Sequence, residues 1–481
     1  MPHQDTGSVN GSAYNHQALK QALQWLLEGV SWARVLFRVD CTWAPQLLAM
    51  TAMLWAWSDE KTLKGRFRTA RKIARRMFPS RKAPAGSYQA FIKLLRKWTT
   101  ALVAAVQTLF RRHMRQRLAG RFTLAGFSPF GVDGSRFGLP RTASHERAFA
   151  PSKQRKKARW KKAKKAQRKA KQPQRLTKEQ KATRARAKKA DTPQMWVTVL
   201  WHLGCGLPWS WRFGPSDSSE REHMRQMIGE LPPEPLLVAD AGFPGYTLWR
   251  ALVVAGCQMV MRVGSNVHLL RRLGYVKERG DVVYLWPDRV AAKSQPPIVL
   301  RLVVIHNGRH PVYLVTTVLD HRRLSDQQVI EFYRLRWGIE LFYRHVKQTY
   351  EHRKLRSHAA ENAPVEAEWA LVGMWAMAFY AQCHLQRRAI PPSKISVAQV
   401  LRAFRTPMRA YKSRPDPGED LHALLDIAII DSYRRASKAS RDYPRKKQET
   451  PAGPPRIVLA TTTQVQKARE IRDEMELGLT A

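Results

Sequence analysis

The feature that most constrains this fold is the segment 331–350, EFYRLRWGIELFYRHVKQTY, in which Tyr333, Arg336, Glu340 and Lys347 stand at offsets of three, seven and fourteen residues. On a helix that advances about 100° per residue, these four side chains fall within an arc of roughly 60°. The other side of the helix is apolar and collects Phe332, Leu335, Ile339, Phe342 and Val346. The pattern predicts one amphipathic helix that holds a single carboxylate among cationic and phenolic groups.

Such a polar face has two interpretations. Any half-buried helix shows a charged, solvated stripe opposite an apolar one. The alternative is a metal-dependent site for phosphate esters, because a carboxylate can bind a divalent cation while Arg and Lys hold the phosphates beside it.

Two more carboxylates favour the second interpretation. Asp240 ends the apolar run LLVAD before the turn-forming AGFPG, and Asp133 lies in FGVDG between two glycines. Both positions are typical of strand ends, where an active site can be assembled beside a sheet. A lone Asp at such a place is also a common turn former or helix cap, so neither residue is decisive alone.

These residues carry a resemblance to the DDE transposases of bacterial insertion sequences, in the branch with a Tyr, Arg, Glu, Lys signature. The similarity consists of YLVTTVLD at 313–320, the signature spacing, and KLRS at 354–357. Upstream, GVDGSRFGLPRT and LLVADAGFPGYTLWRAL are similar to the segments that carry the family's two aspartates. The match covers roughly residues 126–385 and implies an α/β fold, with an RNase H-like mixed sheet interrupted by a β insertion.

The resemblance also implies roles for individual residues. It makes Asp133, Asp240 and Glu340 a catalytic and metal-binding triad. The DNA-binding residues that we expect around this triad are Tyr333, Arg336, Arg344, Lys347 and Trp286. Trp286 belongs to the β insertion and could stack on a base extruded near the cut, although a core role is the simpler interpretation. Three carboxylates supply enough charge to hold two Mg²⁺ ions, for which Mn²⁺ can substitute.

The charge of the chain predicts a polyanionic partner independently of that resemblance. There are 84 Lys and Arg against 37 Asp and Glu, a formal net charge of +47, which favours nucleic acid or an anionic membrane. Residues 153–190 hold 19 of the basic residues and one acid, so the remainder would still carry +29. This basic insert is interpreted as a non-specific DNA clamp or as a solubilising tether. Sixteen Trp indicate substantial folded cores.

The pattern of residues predicts five regions. The first is a helical N-terminal domain that is expected to contact DNA (1–125). The core follows, with its first part at 126–264, the β insertion at 265–320, and the signature helix with the remaining core helices at 321–387. The last is a helical and basic C-terminal region (388–481). Apolar runs such as 369–381 are too short to span a bilayer and are predicted to be buried helices. The four Cys are far apart and show no zinc-type spacing.

We therefore expect cut-and-paste DNA transposition: cleavage at the inverted repeats of an element, then strand transfer into target double-stranded DNA. Two alternatives stay open, an RNase H-like nuclease without strand transfer and a domesticated DNA-binding protein without catalysis. Two ends must be brought together, so a homodimer on DNA is expected. The chain shows no secretory signal, and we expect a cytoplasmic protein near the nucleoid with no membrane partner.

Overall fold

The computed structural model describes residues 11–37, 41–79, 86–151, 193–307, 310–409, 420–430 and 453–479. The basic insert 153–190, predicted to clamp DNA or to act as a tether, lies outside the described residues.

The N-terminal region is helical, as its apolar spacing predicts. Its helices are α1 (Gly11–Leu27), α2 (Pro45–Trp57), α3 (Leu63–Met77), α4 (Tyr88–Arg117) and α5 (Ala119–Phe122). Side-chain caps start two of them, because Thr62 Oγ1 accepts a hydrogen bond from the Gly65 amide and Ser87 Oγ accepts one from the Ala90 amide. Pro45 occupies the first turn of α2, where its missing N–H costs nothing.

The described strands form one mixed sheet. They are β1 (Ser128–Gly138), β2 (Gln194–His202), β3 (Leu207–Gly214), β4 (Pro235–Ala239), β5 (Gln258–Val263), β6 (His268–Arg271), β7 (Val282–Leu285), β8 (Ile298–Asn307), β9 (His310–Thr316) and β10 (Arg456–Leu459). Their order in the sheet is β10-β6-β7-β8-β9-β5-β4-β1-β2-β3. β1 to β3 form an antiparallel meander, whereas β1, β4 and β5 run parallel. This is the RNase H-like mixed sheet that was predicted.

The remaining helices connect the strands or follow them. They are α6 (Ala143–Phe149), α7 (Glu220–Met227), α8 (Tyr246–Val254), α9 (Asp288–Ala291), α10 (Asp326–Leu335), α11 (Trp337–Arg344), α12 (Asn362–Gln386), α13 (Val397–Arg409), α14 (Leu421–Asp426) and α15 (Thr462–Leu479). Short 3₁₀ turns occupy Ile228–Glu230 and Pro392–Lys394, and a π-helical turn occupies His345–Thr349.

Helix α12 is the centre of the helical layer, and its apolar run 369–381 is buried as predicted. It packs on α2, where the Trp57 indole donates a hydrogen bond to the Gly373 carbonyl at 2.9 Å. A Cβ at position 373 would lie 2.8 Å from that indole nitrogen, so only glycine permits this close approach. Among the described helices, none combines the length and apolar composition needed to cross a membrane.

Two strands were missed by the sequence patterns. β6 is only four residues long, and β10 lies in the C-terminal region that was expected to be helical and basic. β10 pairs in parallel with β6 at the edge of the sheet. Both strands are stabilised by a pairing between segments remote in sequence, which no local periodicity can reveal.

Candidate active site

Asp133 lies on β1, which is paired along both of its edges. β2 binds one edge in antiparallel register and β4 binds the other in parallel register. The Asp133 side chain is half-buried, and its Oδ1 accepts a hydrogen bond from the Gly134 amide at 2.8 Å. Because alternate residues of a strand point to the same face, Asp133 and Ser135 share one face of the sheet while Gly134 lies on the other.

Asp240 is the first residue after β4. The pairing of Gly131 with Val238, continued by two residues, brings Asp133 beside Asp240. Since neighbouring strands are about 4.8 Å apart, the two backbones are adjacent at the same end of the sheet. Asp240 Oδ1 also accepts a hydrogen bond from the Gly242 amide at 2.8 Å, which fixes the turn that leaves the strand.

Glu340 comes from the segment predicted as one continuous helix. The segment is helical but divided, because α10 ends at Leu335, α11 begins at Trp337, and a π-helical turn follows at His345–Thr349. The prediction of an unbroken helix is therefore wrong at Arg336. Leu335, which the pattern assigned to the apolar side, is 42% exposed because the helix is interrupted immediately after it. Short π-helical turns inside helices are frequent at functional sites.

Arg336 and Glu340 form an ion pair within the site. The Arg336 Nη2 donates to Glu340 Oε1 at 2.8 Å, and the two side chains are 12% and 33% exposed. The guanidinium also lies 5.5 Å from the centre of the Tyr333 ring. Burial opposes the charge, but Tyr333, Glu340 and Asp240 together raise the pKa of Arg336 above its ordinary value. Arg336 is thus a permanent cation beside the carboxylates.

The three predicted carboxylates lie close enough for their charges to act on one another. Burial raises the pKa of Asp133 to about 6, and the negative charges of Asp240 and Glu340 add to that rise. The Gly134 amide and Arg336 act in the opposite direction. The structure therefore brings together residues that are at least a hundred positions apart in the chain, in an electrostatically strained group.

Two residues of the signature segment attach it to β1. The Lys347 ammonium donates a hydrogen bond to Ser135 Oγ, on the same face of β1 as Asp133. The buried Tyr343 hydroxyl donates to the Asp133 carbonyl at 2.8 Å and lies 3.3 Å from the Val197 carbonyl. These contacts hold α11 and the π-helical turn over the strand that carries Asp133. Tyr343 was not singled out by the sequence patterns, because it looks like an ordinary core aromatic.

A fourth carboxylate, Glu220, reaches the site from the start of α7. A Cβ at position 134 would lie 2.4 Å from Glu220 Oε1, so Gly134 makes room for this side chain next to Asp133. Burial raises the pKa of Glu220 to about 7, and Asp133 and Asp240 raise it further. The sequence predicts the helix but gives no signal for this contact, which depends on how α7 packs against the sheet.

The other predicted DNA-binding residues divide into two groups. Tyr333 is half-buried under Arg336, and Arg344 is exposed on α11. Trp286 is only 3% exposed, and its indole donates a hydrogen bond to the Gln295 carbonyl at 2.8 Å. The prediction that Trp286 stacks on an extruded base is therefore wrong for this conformation, because its faces are covered by the core of the β insertion.

The side chains fit a divalent cation in chemistry and in charge. Carboxylate oxygens are the ligands that Mg²⁺ and Mn²⁺ prefer. Burial, and to a smaller extent the neighbouring carboxylates, raise the pKa of Asp133, and a bound cation would favour its charged form instead. Within the described ranges, however, no three His, Cys, Asp or Glu side chains are arranged as a finished metal site. In this conformation one oxygen of Glu340 is bonded to the Arg336 guanidinium.

The family is shown by the comparison with family models. A family model described as a transposase DDE domain matches residues 132–376, just over half of the 481 residues. The transposase InsG of insertion sequence element IS4 from Escherichia coli (strain K12) is 25% identical over 276 residues, which is 54% of this chain and 60% of that protein. The cryo-EM structure of a piggyBac transposase synaptic complex with hairpin DNA aligns with 89% of this chain and 88% of its own, at 11% identity and a TM-score of 0.36.

Proposed function

Because the chain belongs to the transposase DDE domain family, we propose that it cuts DNA at the ends of a mobile element and joins those ends to target DNA. The observation that carries this proposal is that Asp133, inside β1, and Asp240, directly after β4, lie near Glu340. Burial raises the pKa of Asp133, and the charges of the other two carboxylates add to that rise. If the polar face of the segment 331–350 were only a solvated surface, there would be no reason to bury carboxylates beside one another, because burying charges is costly.

The metal chemistry is part of the proposal. Asp133, Asp240 and Glu340 would hold Mg²⁺, most simply as two ions, and Mn²⁺ would substitute. When bound, such a pair activates an attacking water or 3′-hydroxyl and stabilises the leaving oxygen. Arg336 contacts only Oε1 of Glu340, so the other carboxylate oxygen is the one that would bind the metal while the ion pair is kept.

The remaining side chains are proposed to position DNA. The N–H groups of Arg336 that Glu340 does not engage can donate hydrogen bonds to a phosphate. Lys347 lies on the same face as Asp133 and would hold a neighbouring phosphate as a point charge. Tyr333 supports the guanidinium from below, and Arg344 extends the cationic surface of α11.

The partners follow from the reaction. We propose that the chain binds the inverted repeats of its element and then target DNA, both as duplexes, and that two copies assemble on a pair of ends. A net charge of +47 supports a nucleic-acid partner, because each neutralised phosphate releases condensed counterions. Such a protein would act in the cytoplasm, at the nucleoid.

The proposal is tested by Glu340→Gln in a cleavage assay. The substrate is a labelled duplex that carries the repeat flanking the reading frame, incubated with Mg²⁺ and a target plasmid. The wild-type chain is expected to release cut ends and to form joined product. Glu340→Gln keeps the size of the side chain but removes its charge, so it should lose cleavage by at least a hundredfold, as typically seen when a group needed in the transition state is lost.

Glu331→Gln is the matched control, because Glu331 is an exposed carboxylate on α10, one helix before Glu340. It should cut like the wild type, and both variants should bind the labelled end with unchanged affinity. Cleavage by Glu340→Gln at the wild-type rate would remove Glu340 from the mechanism. Cut ends without joined product would indicate a nuclease rather than a transposase.

A further inference from the structure

A basic groove opens next to the carboxylates. It lies between the segment before α3, the end of β1, and the loop 351–359 that follows the π-helical turn, and it encloses a cavity of about 1410 Å³. One carboxylate, Glu351, is exposed in this groove. The cationic residues that line it are Lys61, Arg136, Lys347, Arg353, Lys354 and Arg356. Such an excess of one charge focuses a positive potential inside a cleft and attracts a polyanion.

Some of these cations already have partners within the protein. Arg356 donates to the backbone carbonyls of Glu60 and Lys61, and Arg136 covers the Trp196 ring at 4.4 Å. Lys347 donates to Ser135. These side chains build the groove as well as charge it.

Arg353 and Lys354 differ from them. Both side chains are exposed, and neither makes a hydrogen bond or an ion pair with any residue that the structure describes. Two adjacent cations at the wall of a groove, neither bonded to a described residue, are available to a ligand. A row of phosphates is the ligand that such spacing suits, because each can take one cation.

The backbone that carries these two cations is fixed to β1. The Gly138 amide donates to the Arg353 carbonyl at 3.0 Å, and the Leu355 amide donates to the Gly138 carbonyl at 2.9 Å. The next part of the loop is held by Glu366, whose carboxylate accepts hydrogen bonds from the Arg356 and Ser357 amides. The loop that carries Arg353 and Lys354 is therefore fixed to Gly138, on the same strand as Asp133.

The distance from Asp133 to this loop can be estimated from the strand. Gly138 is five residues beyond Asp133, which corresponds to about 17 Å at a rise of roughly 3.3 Å per residue. Phosphates of one DNA strand follow one another at about 3.4 Å along the helix axis, so this length corresponds to about five nucleotides. Lys347, which bonds to Ser135, lies between the two points along β1.

We propose that the basic groove binds the phosphate backbone of the DNA being cut, with Arg353 and Lys354 on phosphates about five nucleotides from the scissile bond. The inference rests on the proposed function, since it takes Asp133, in the middle of β1, as the place of cutting. It extends that function by assigning a path to the DNA beyond the carboxylates. It also gives a role to the KLRS segment, which the triad does not use.

The first test is the double variant Arg353→Ala/Lys354→Ala, with Arg289→Ala/Lys293→Ala as control. The control removes one Arg and one Lys, both exposed, beside β7, which is five strands from β1 in the sheet. Binding of a fluorescent duplex carrying the element end is measured against salt. The groove variant should lower the slope of log K against log salt by about two, one for each lost phosphate contact, and the control should leave it unchanged.

The second test uses the wild-type chain, so it does not depend on a variant. Single phosphates of the duplex are replaced in turn by neutral methylphosphonates on either side of the cut. Affinity should fall for replacements about five nucleotides from the scissile bond on one side, and the groove variant should be insensitive to those same replacements. Which side responds reports the direction of the strand in the groove.

The inference is overturned if the groove variant keeps the wild-type salt slope, or if the sensitive phosphates lie elsewhere. Such a result would leave the proposed function intact as long as Glu340→Gln still loses cleavage. The opposite outcome separates the two proposals as well. If Glu340→Gln cuts like the wild type while the groove variant still shows the expected lower salt slope and insensitivity to methylphosphonates, the catalytic proposal is contradicted and the groove remains a DNA-binding surface.

Discussion

At the scale of single residues, the site combines buried carboxylates that repel one another with one cation that offsets part of the repulsion. Asp133 and Glu220 are held by the fold in positions where burial and neighbouring carboxylates disfavour their charged forms. Arg336 offsets part of that repulsion through its bond to Glu340. Asp240 could be selected from the sequence because it ends an apolar run, and it directly follows β4 as predicted. Asp133 was also expected at a strand end, but it lies in the middle of β1, because the pairing with β2 continues past it to Gly138. Glu220 could not be selected, because its proximity depends on the absence of a side chain at Gly134.

This strain predicts a gain in stability when the charge of Asp133 is removed. The pKa of Asp133 in the folded chain is about 6, against 3.8 for an ordinary Asp, so the folded state binds the proton more tightly than the unfolded state does. The stabilisation from this group is fully present below pH 3.8 and is lost as pH rises through 6. At pH 7 without metal, Asp133→Asn should therefore raise the free energy of unfolding by on the order of 1 kcal/mol.

Urea unfolding at pH 7 in the presence of a chelator measures this change. Added Mg²⁺ should stabilise the wild-type chain and have much less effect on Asp133→Asn, because the variant lacks a charged ligand. A variant less stable than the wild type without metal would show that Asp133 is not electrostatically strained.

At the scale of elements, the site depends on how one broken helix lies on one strand. The amphipathic pattern predicts the helical segment and its buried side, and the capping box of Ser325 and Gln328 fixes where α10 begins. The break at Arg336 and the π-helical turn were not predictable, since the local pattern fits a continuous helix equally well. Likewise, the β insertion was predicted as a region, whereas β10 is paired only with β6, a strand remote from it in sequence.

The attachment of α11 to β1 gives a prediction at this scale. Tyr343→Phe removes the hydroxyl that bonds to the Asp133 carbonyl but keeps the buried ring. The loss of one buried hydrogen bond should lower the free energy of unfolding by about 1 kcal/mol. It should also slow cleavage, because the hydroxyl holds α11, which carries Glu340, and the π-helical turn after it, which carries Lys347, against β1.

Tyr313→Phe is the control for the loss of a hydroxyl, because Tyr313 is a half-buried tyrosine that lies on β9 and not on α11. It should leave the cleavage rate unchanged, as measured in single-turnover reactions with Mg²⁺. Equal rates for Tyr343→Phe and the wild type would mean that this bond does not position the catalytic helix.

At the scale of the whole molecule, the catalytic part and the basic charge are organised around one sheet. The order of β1 to β5 could be anticipated from the resemblance, and the global charge from composition alone. The position of the basic groove could not, because it is built from the segment before α3, the end of β1 and the loop after the π-helical turn. Those parts are adjacent only after the N-terminal helices have packed on α12 and the sheet. The fold thus places a positive cleft directly beside a group of negative charges.

The central claim is that Asp133, Asp240 and Glu340 form one divalent-metal site. Electron paramagnetic resonance of free Mn²⁺, titrated into the DNA-bound chain, measures occupancy of such a site directly. The wild-type chain is expected to bind Mn²⁺ in competition with Mg²⁺, and the triple variant Asp133→Asn/Asp240→Asn/Glu340→Gln, still bound to DNA, should lose that binding. Equal Mn²⁺ binding by the two proteins would contradict the account.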